Sequence, residues 1–231
     1  MNTKTVVISQ TQLKVLLKGT GSSVAKGIPI NSHRVSDQEA INCLNDLMKE
    51  KIIFTDDDAF VMNDYMHRII SGINEGYAAA LKSRNITLPD LCLFINKGDD
   101  IVVCNVSKVC NDSIKLCILG KHQLLPYCRE EGYLPKDEED YPVDDNCLER
   151  FEEDYSLAEY EAAPLEWNSK IVFQLVPEPD SNAKLSISVI EYSLYRYIRL
   201  CVNGKVSRSI YTYNNLCEMC DVFFKEINLW L

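Results

Sequence analysis

The chain has 231 residues, 46% of them apolar, and a formal charge of −10 at neutral pH. That apolar share is ample for a core and excludes a chain that is disordered throughout. Met1 is followed by no apolar run of signal-peptide length, and no stretch approaches the roughly 20 residues of a membrane span, so a cytoplasmic protein is expected.

Thr5-Val6-Val7-Ile8 is a short β-prone run, and Ser9-Gln10-Thr11-Gln12 offers a capping box for a helix through Leu13, Leu16 and Leu17, ended by Gly19. Gly19-Thr20-Gly21-Ser22-Ser23 follows a helix and lacks Gly-Lys-Ser/Thr, so it reads as a connector rather than a phosphate loop.

Ser36-Asp37-Gln38-Glu39 is a second capping box. Ile41, Leu44, Leu47 and Met48 follow at helical spacing and predict a buried stripe. Ile52-Ile53-Phe54 and Phe60-Val61-Met62 predict two short strands joined by an acidic turn, Thr55 to Asp58. Asn63 is placed to cap the next helix, whose stripe is Met66, Ile69, Ile70 and Ile73, with Gly76 near its end. Helix, two strands and helix also describe a winged-helix regulator. Its electrostatics are wrong for one: Ser36 to Gly76 holds Lys49, Lys51 and Arg68 against nine carboxylates, and phosphate binding needs the reverse. Nucleic acid is therefore not the expected partner.

Tyr77 to Arg84, with Ala78-Ala79-Ala80-Leu81, is predicted to continue helical. Leu91 to Ile95, Ile101 to Val106 and Ile114 to Leu119 read as strands separated by short polar turns, an antiparallel meander. His122-Gln123-Leu124-Leu125-Pro126 then leads into an acidic insert. Between Arg129 and Glu166 there are 15 acidic and three basic residues, a net charge of −12, which leaves +2 for the remainder. Asp144-Asp145-Asn146 could cap a helix carrying Leu148 and Phe151. The central Gly of an EF-hand loop is absent, so the acidic residues read as a solvated, partly mobile loop.

Lys170 to Val176, Lys184 to Tyr192, Arg196 to Val202 and Lys205 to Tyr211 are strand-like, with the hairpin signal Asn203-Gly204 between the last two. Alternation places Leu185, Ile187 and Val189 on one face, and a closing helix from about Asn214 to Ile227 offers Leu216, Cys220, Phe223 and Ile227 to cover it.

Most of the ten cysteines lie within apolar runs, as Cys92, Cys104, Cys117 and Cys201 do, and read as core thiols rather than a disulfide framework. Cys217-Glu218-Met219-Cys220 has no second ligand pair for zinc and reads as helix-face packing. His33, His67 and His122 are isolated, and no nucleophile or metalloenzyme motif is present. No catalytic, cofactor or metal residues are assigned, and the partner-binding residues stay unassigned. An enzyme whose site assembles from distant residues stays open.

The order of elements resembles the EspG-like ESX (type VII) secretion-associated chaperones. It runs from a strand and short helix (Val6 to Leu17), through a helix ending in Leu47-Met48-Lys49-Glu50-Lys51-Ile52-Ile53, to a helix leading into a meander. That family's helix end reads Leu-Leu-x-x-Gly-Leu/Ile, and Lys51 stands at the glycine. The resemblance implies a cytoplasmic, non-enzymatic adaptor that shields the helical tip of a secretion substrate. The expectation is one α+β domain over residues 1–231, a central antiparallel sheet of two meanders flanked by helices, with the acidic insert at about 129–166. An apolar groove near the sheet is expected to hold the protein partner.

Overall fold

The structure, a computed structural model, describes residues 3–22, 27–30, 33–57, 59–83, 87–107, 112–134, 169–177, 185–192 and 195–229. Nearly all of the acidic insert, including Asp144 to Phe151, lies outside the described residues. The fold is α+β, an antiparallel sheet of two meanders flanked by helices. The chain divides into two compact units, one of Met1–Ala80 and Pro89–Lys121, the other of Leu81–Leu88 and His122–Trp230.

In the first unit β1 (Thr5–Ser9) runs straight into α1 (Gln10–Gly19) through the Ser9–Gln12 capping box. Next come α2 (Asp37–Lys49), β2 (Ile53–Asp56), β3 (Ala59–Met62), α3 (Asp64–Glu75) and β4 (Tyr77–Ser83), whose last residues pass into the second unit. The meander of β5 (Leu91–Ile95), β6 (Asp100–Val106) and β7 (Ser113–Gly120) completes it. Strands lie in the order β1-β7-β6-β5-β4, with β1 antiparallel to β7.

α3 lies against β5, β6 and β7 and buries Met66, Ile69, Ile70 and Ile73, as their spacing predicts. Its approach to the sheet is close. A Cβ on Gly72 would sit 2.5 Å from Val102 Cγ2 and 2.9 Å from Asn96 Nδ2, so only hydrogen fits there. Tyr65 ties α3 to the other edge, its hydroxyl donating to the Lys4 carbonyl and accepting from the Ile118 N–H at 3.2 Å.

Two expectations fail in this unit. Tyr77 to Ser83 is strand, not helix: Gly76 leaves α3 with ψ 155°, and Ala78 to Leu81 are buried without interruption, as in a strand covered on both faces. Helix propensity of a short Ala run is a few tenths of a kcal/mol per residue and yields to that burial. The α2 stripe is only half covered. Leu47 is fully buried and Leu44 and Met48 partly so, but Ile41 is 52% exposed.

The second unit opens after a 3-10 turn, Lys121–Gln123, with α4 (Leu124–Glu130). No helix is expected from the sequence at this point, yet Pro126 is compatible with one. A proline in the first turn removes an N–H that has no intrahelical partner, so it costs little there. The second meander follows: β8 (Ser169–Pro177), β9 (Leu185–Tyr192), β10 (Tyr195–Val202) and β11 (Lys205–Ile210). Asn203 and Gly204 have φ of 51° and 79°, the type I′ geometry of a two-residue hairpin. α5 (Tyr213–Asn228), capped by Thr212, lies on β9 and β10 and buries Leu216, Cys220, Phe223 and Ile227. On β9 the alternation does not separate core from solvent. Ser186 and Ser188 are buried with Leu185, Ile187 and Val189.

All eight cysteines among the described residues are free thiols. Burial pushes the Cys104, Cys128 and Cys220 thiols above their ordinary range. Cys217 and Cys220 lie on α5 as packing residues, half-buried and buried.

Candidate protein-docking surface

β2 and β3 form a two-stranded sheet of their own. Its root is fixed. Ile52 and Ile53 are buried in the core of the first unit, Met62 packs against that core, and Asn63 bonds back through its N–H to the Ile52 carbonyl and through Nδ2 to the Lys51 carbonyl. From the root outward burial falls away. Phe54 is 49% exposed, Phe60 54% and Val61 37%, and Thr55, Asp56 and Ala59 are exposed as well.

The register fixes which residues share a face. Ile53 pairs with Met62, Phe54 with Val61, Thr55 with Phe60 and Asp56 with Ala59. Side chains alternate along a strand, so Phe54, Val61, Asp56 and Ala59 share one face, while Ile53, Met62, Thr55 and Phe60 share the other. The second face is anchored through Ile53 and Met62. The first presents a Phe–Val pair with a carboxylate beside it. The turn is sharp, with Asp57 at φ 41°.

Adjacent exposed apolar side chains are candidates for interaction sites, and the Phe54–Val61 pair is such a candidate. Among the described residues the other large exposed apolar side chains are single positions: Val7 on β1, Ile41 on α2, Val222 on α5 and Leu229 beyond it. Among the described residues the β2–β3 hairpin is thus the element that gathers the exposed apolar side chains. The sequence held one signal for it. Phe54 and Phe60 fall on opposite faces of a two-stranded element, and no single layer can cover both.

A separate cleft of about 710 Å³ lies between α3 and the β5–β6 turn, lined by His67, Arg68, Ser71, Glu75, Lys97 and Asp99 among others. Arg68 closes one side through a 2.5 Å ion pair with Asp100, and the hydrogen bond and charge of that carboxylate push the guanidinium above its ordinary range. The pair is about half exposed, so it contributes at most about 1 kcal/mol. His67 stands exposed at the rim of this cleft. Among the described residues no group of three or more His, Cys, Asp or Glu could hold a metal ion, and no helix is long and apolar enough to cross a membrane.

No protein-family model matches the chain, and no curated protein matches it. A solved structure does. It is the type VII secretion system chaperone EspG5 of Mycobacterium tuberculosis, in complex with a PE25–PPE41 dimer. The alignment covers 97% of this chain and 95% of that one, with a TM-score of 0.51 and 11% identity. The two chains share a fold. At 11% identity that likeness concerns the path of the backbone alone, and it agrees with the resemblance carried by the Leu47–Ile53 helix end. In that helix end Lys51 has φ 57°, so the residue standing at the family's glycine adopts the left-handed conformation a glycine takes easily.

Proposed function

We propose that this protein is a cytoplasmic, non-enzymatic chaperone or adaptor that shields an apolar segment of a second protein, such as a helical secretion substrate. The observation that carries the reading is the β2–β3 hairpin, anchored at its root and exposing Phe54, Phe60 and Val61 along its length. Covering the Phe54 and Val61 side chains, which share a face, removes apolar area from water at roughly 25 cal/mol per Å². A chaperone reading is consistent with the shared fold, since EspG5 is a chaperone structure determined with a bound protein dimer. The charge of −12 between Arg129 and Glu166 adds long-range attraction for basic partners and raises their encounter rate at low salt.

The test is affinity capture from native cytosol with the wild-type chain and a Phe54→Ser/Val61→Ser variant, followed by partner identification. Wild type should retain a discrete protein that the variant loses, while both unfold at the same temperature. Equal retention by the two chains would sink the hairpin as the docking element. Retention of duplex DNA instead of protein would sink the adaptor reading itself.

A further inference from the structure

We infer that the occupant of the Phe54–Val61 face is a cationic amphipathic helix of another protein; the inference rests on the docking reading above and specifies its partner. Three observations select it.

The first is charge. Ile53 to Met62 contains Asp56, Asp57 and Asp58 and not one Lys or Arg. A second copy of this chain would bring like charges together at the tip, and nucleic acid would bring phosphates to carboxylates. A basic partner gains attraction at the rim while its apolar stripe covers the Phe–Val pair.

The second is spacing. Phe54 and Val61 are cross-strand partners, which places their Cβ atoms about 4.5–5.5 Å apart. Residues three or four apart on a helix are separated by about 5–6 Å, so one helical stripe can straddle the pair.

The third is strand length. β2 and β3 have four residues each. An edge that short gives an added strand only a few ladder bonds to offset the ordering of its backbone, whereas a helix satisfies its own backbone and needs only the apolar contact. The root of the opposite face is already used by Ile53 and Met62, whereas Phe54, Val61, Asp56 and Ala59 are exposed along the whole of theirs.

The experiment measures binding of fluorescent peptides of about five helical turns to the full-length chain at low and high ionic strength. The peptides are a Leu/Lys amphipath, a Leu/Glu amphipath of the same pattern and a Lys/Gln peptide with no apolar stripe. The Leu/Lys peptide should bind as a helix and slow amide exchange across Phe54 to Met62. Asp56→Lys/Asp57→Lys should weaken it about tenfold at low salt and flatten its salt dependence, and Phe54→Ser/Val61→Ser should weaken it about tenfold at both salts. Equal binding of the Leu/Glu peptide, or indifference to the aspartate change, would overturn the cationic helix while leaving apolar docking to be judged by the capture experiment. Leu/Lys binding untouched by either hairpin variant, with no exchange protection on β2 and β3, would place the peptide elsewhere and overturn the inference. A peptide bound as an added strand would do the same.

Discussion

The backbone N–H of Ile52 reaches back across Lys51 to the carbonyl of Leu47, at 2.9 Å. With the Lys51 N–H bonded to the Met48 carbonyl at 3.0 Å, this is the paired closure of a Schellman motif, and Leu47 and Ile52 are both buried in the same core. The geometry turns the chain out of α2 and directly into the root of the β2–β3 hairpin. Lys51 holds the left-handed position that makes the turn possible.

A left-handed conformation costs an L-residue roughly 1–2 kcal/mol, and part of that is offset because glycine loses more chain entropy on folding. Lys51→Gly is therefore expected to raise stability by up to about 1 kcal/mol. Urea denaturation at constant m would show it as a higher midpoint; a lower midpoint would mean the lysine side chain contributes more than the strain removes.

Gly72 is fixed by contact rather than by torsion. Its missing Cβ would fall 2.5 Å from Val102 Cγ2, and Val102 is itself buried in the core. Gly72→Ala should cost about 1–3 kcal/mol as overpacking. Adding Val102→Ala should return part of the loss, and a double variant no better than the sum of the two singles would refute the contact.

Phe223 on α5 is fully buried in the second unit, edge-on to Phe224 with ring centroids 5.7 Å apart. Phe223→Ala should cost about 3–5 kcal/mol. A loss below about 1 kcal/mol would show that α5 is peripheral.

Glu39 returns the Ser36 cap to itself. Its carboxylate accepts from the Ser36 backbone N–H at 2.8 Å and from the hydroxyl at 2.7 Å, and these two bonds, the backbone one first, hold its pKa below the usual carboxylate range. Because the folded value is depressed, this contribution to α2 is fully present above the unfolded carboxylate pKa. It is lost as pH falls through the folded value. An NMR titration of the Glu39 carboxyl should show the low midpoint, and Ser36→Ala, which removes the hydroxyl bond but keeps the backbone one, should move it part of the way back up; an unchanged midpoint would contradict the hydroxyl bond.

The sequence by itself determined most elements and their ends, because these depend on neighbours along the chain. The Ser9 and Ser36 boxes, the Asn63 cap, the Asn203-Gly204 hairpin and the Met66–Ile73 stripe are interactions within a few residues, and all stand in the structure. The failures fall where the deciding partner is remote. Ala78 to Leu81 has no local reason to be a strand and becomes one because the sheet has a place for small side chains covered on both faces. Ile41 has the spacing of a core residue and stays half exposed because nothing among the described elements covers that end of α2. The β2–β3 hairpin follows the same rule. Ile53, Phe54, Val61 and Met62 read alike as apolar strand residues, and only the tertiary structure decides between them, since the core has room for the Ile53–Met62 pair and none for Phe54 and Val61, which the pleat turns outward.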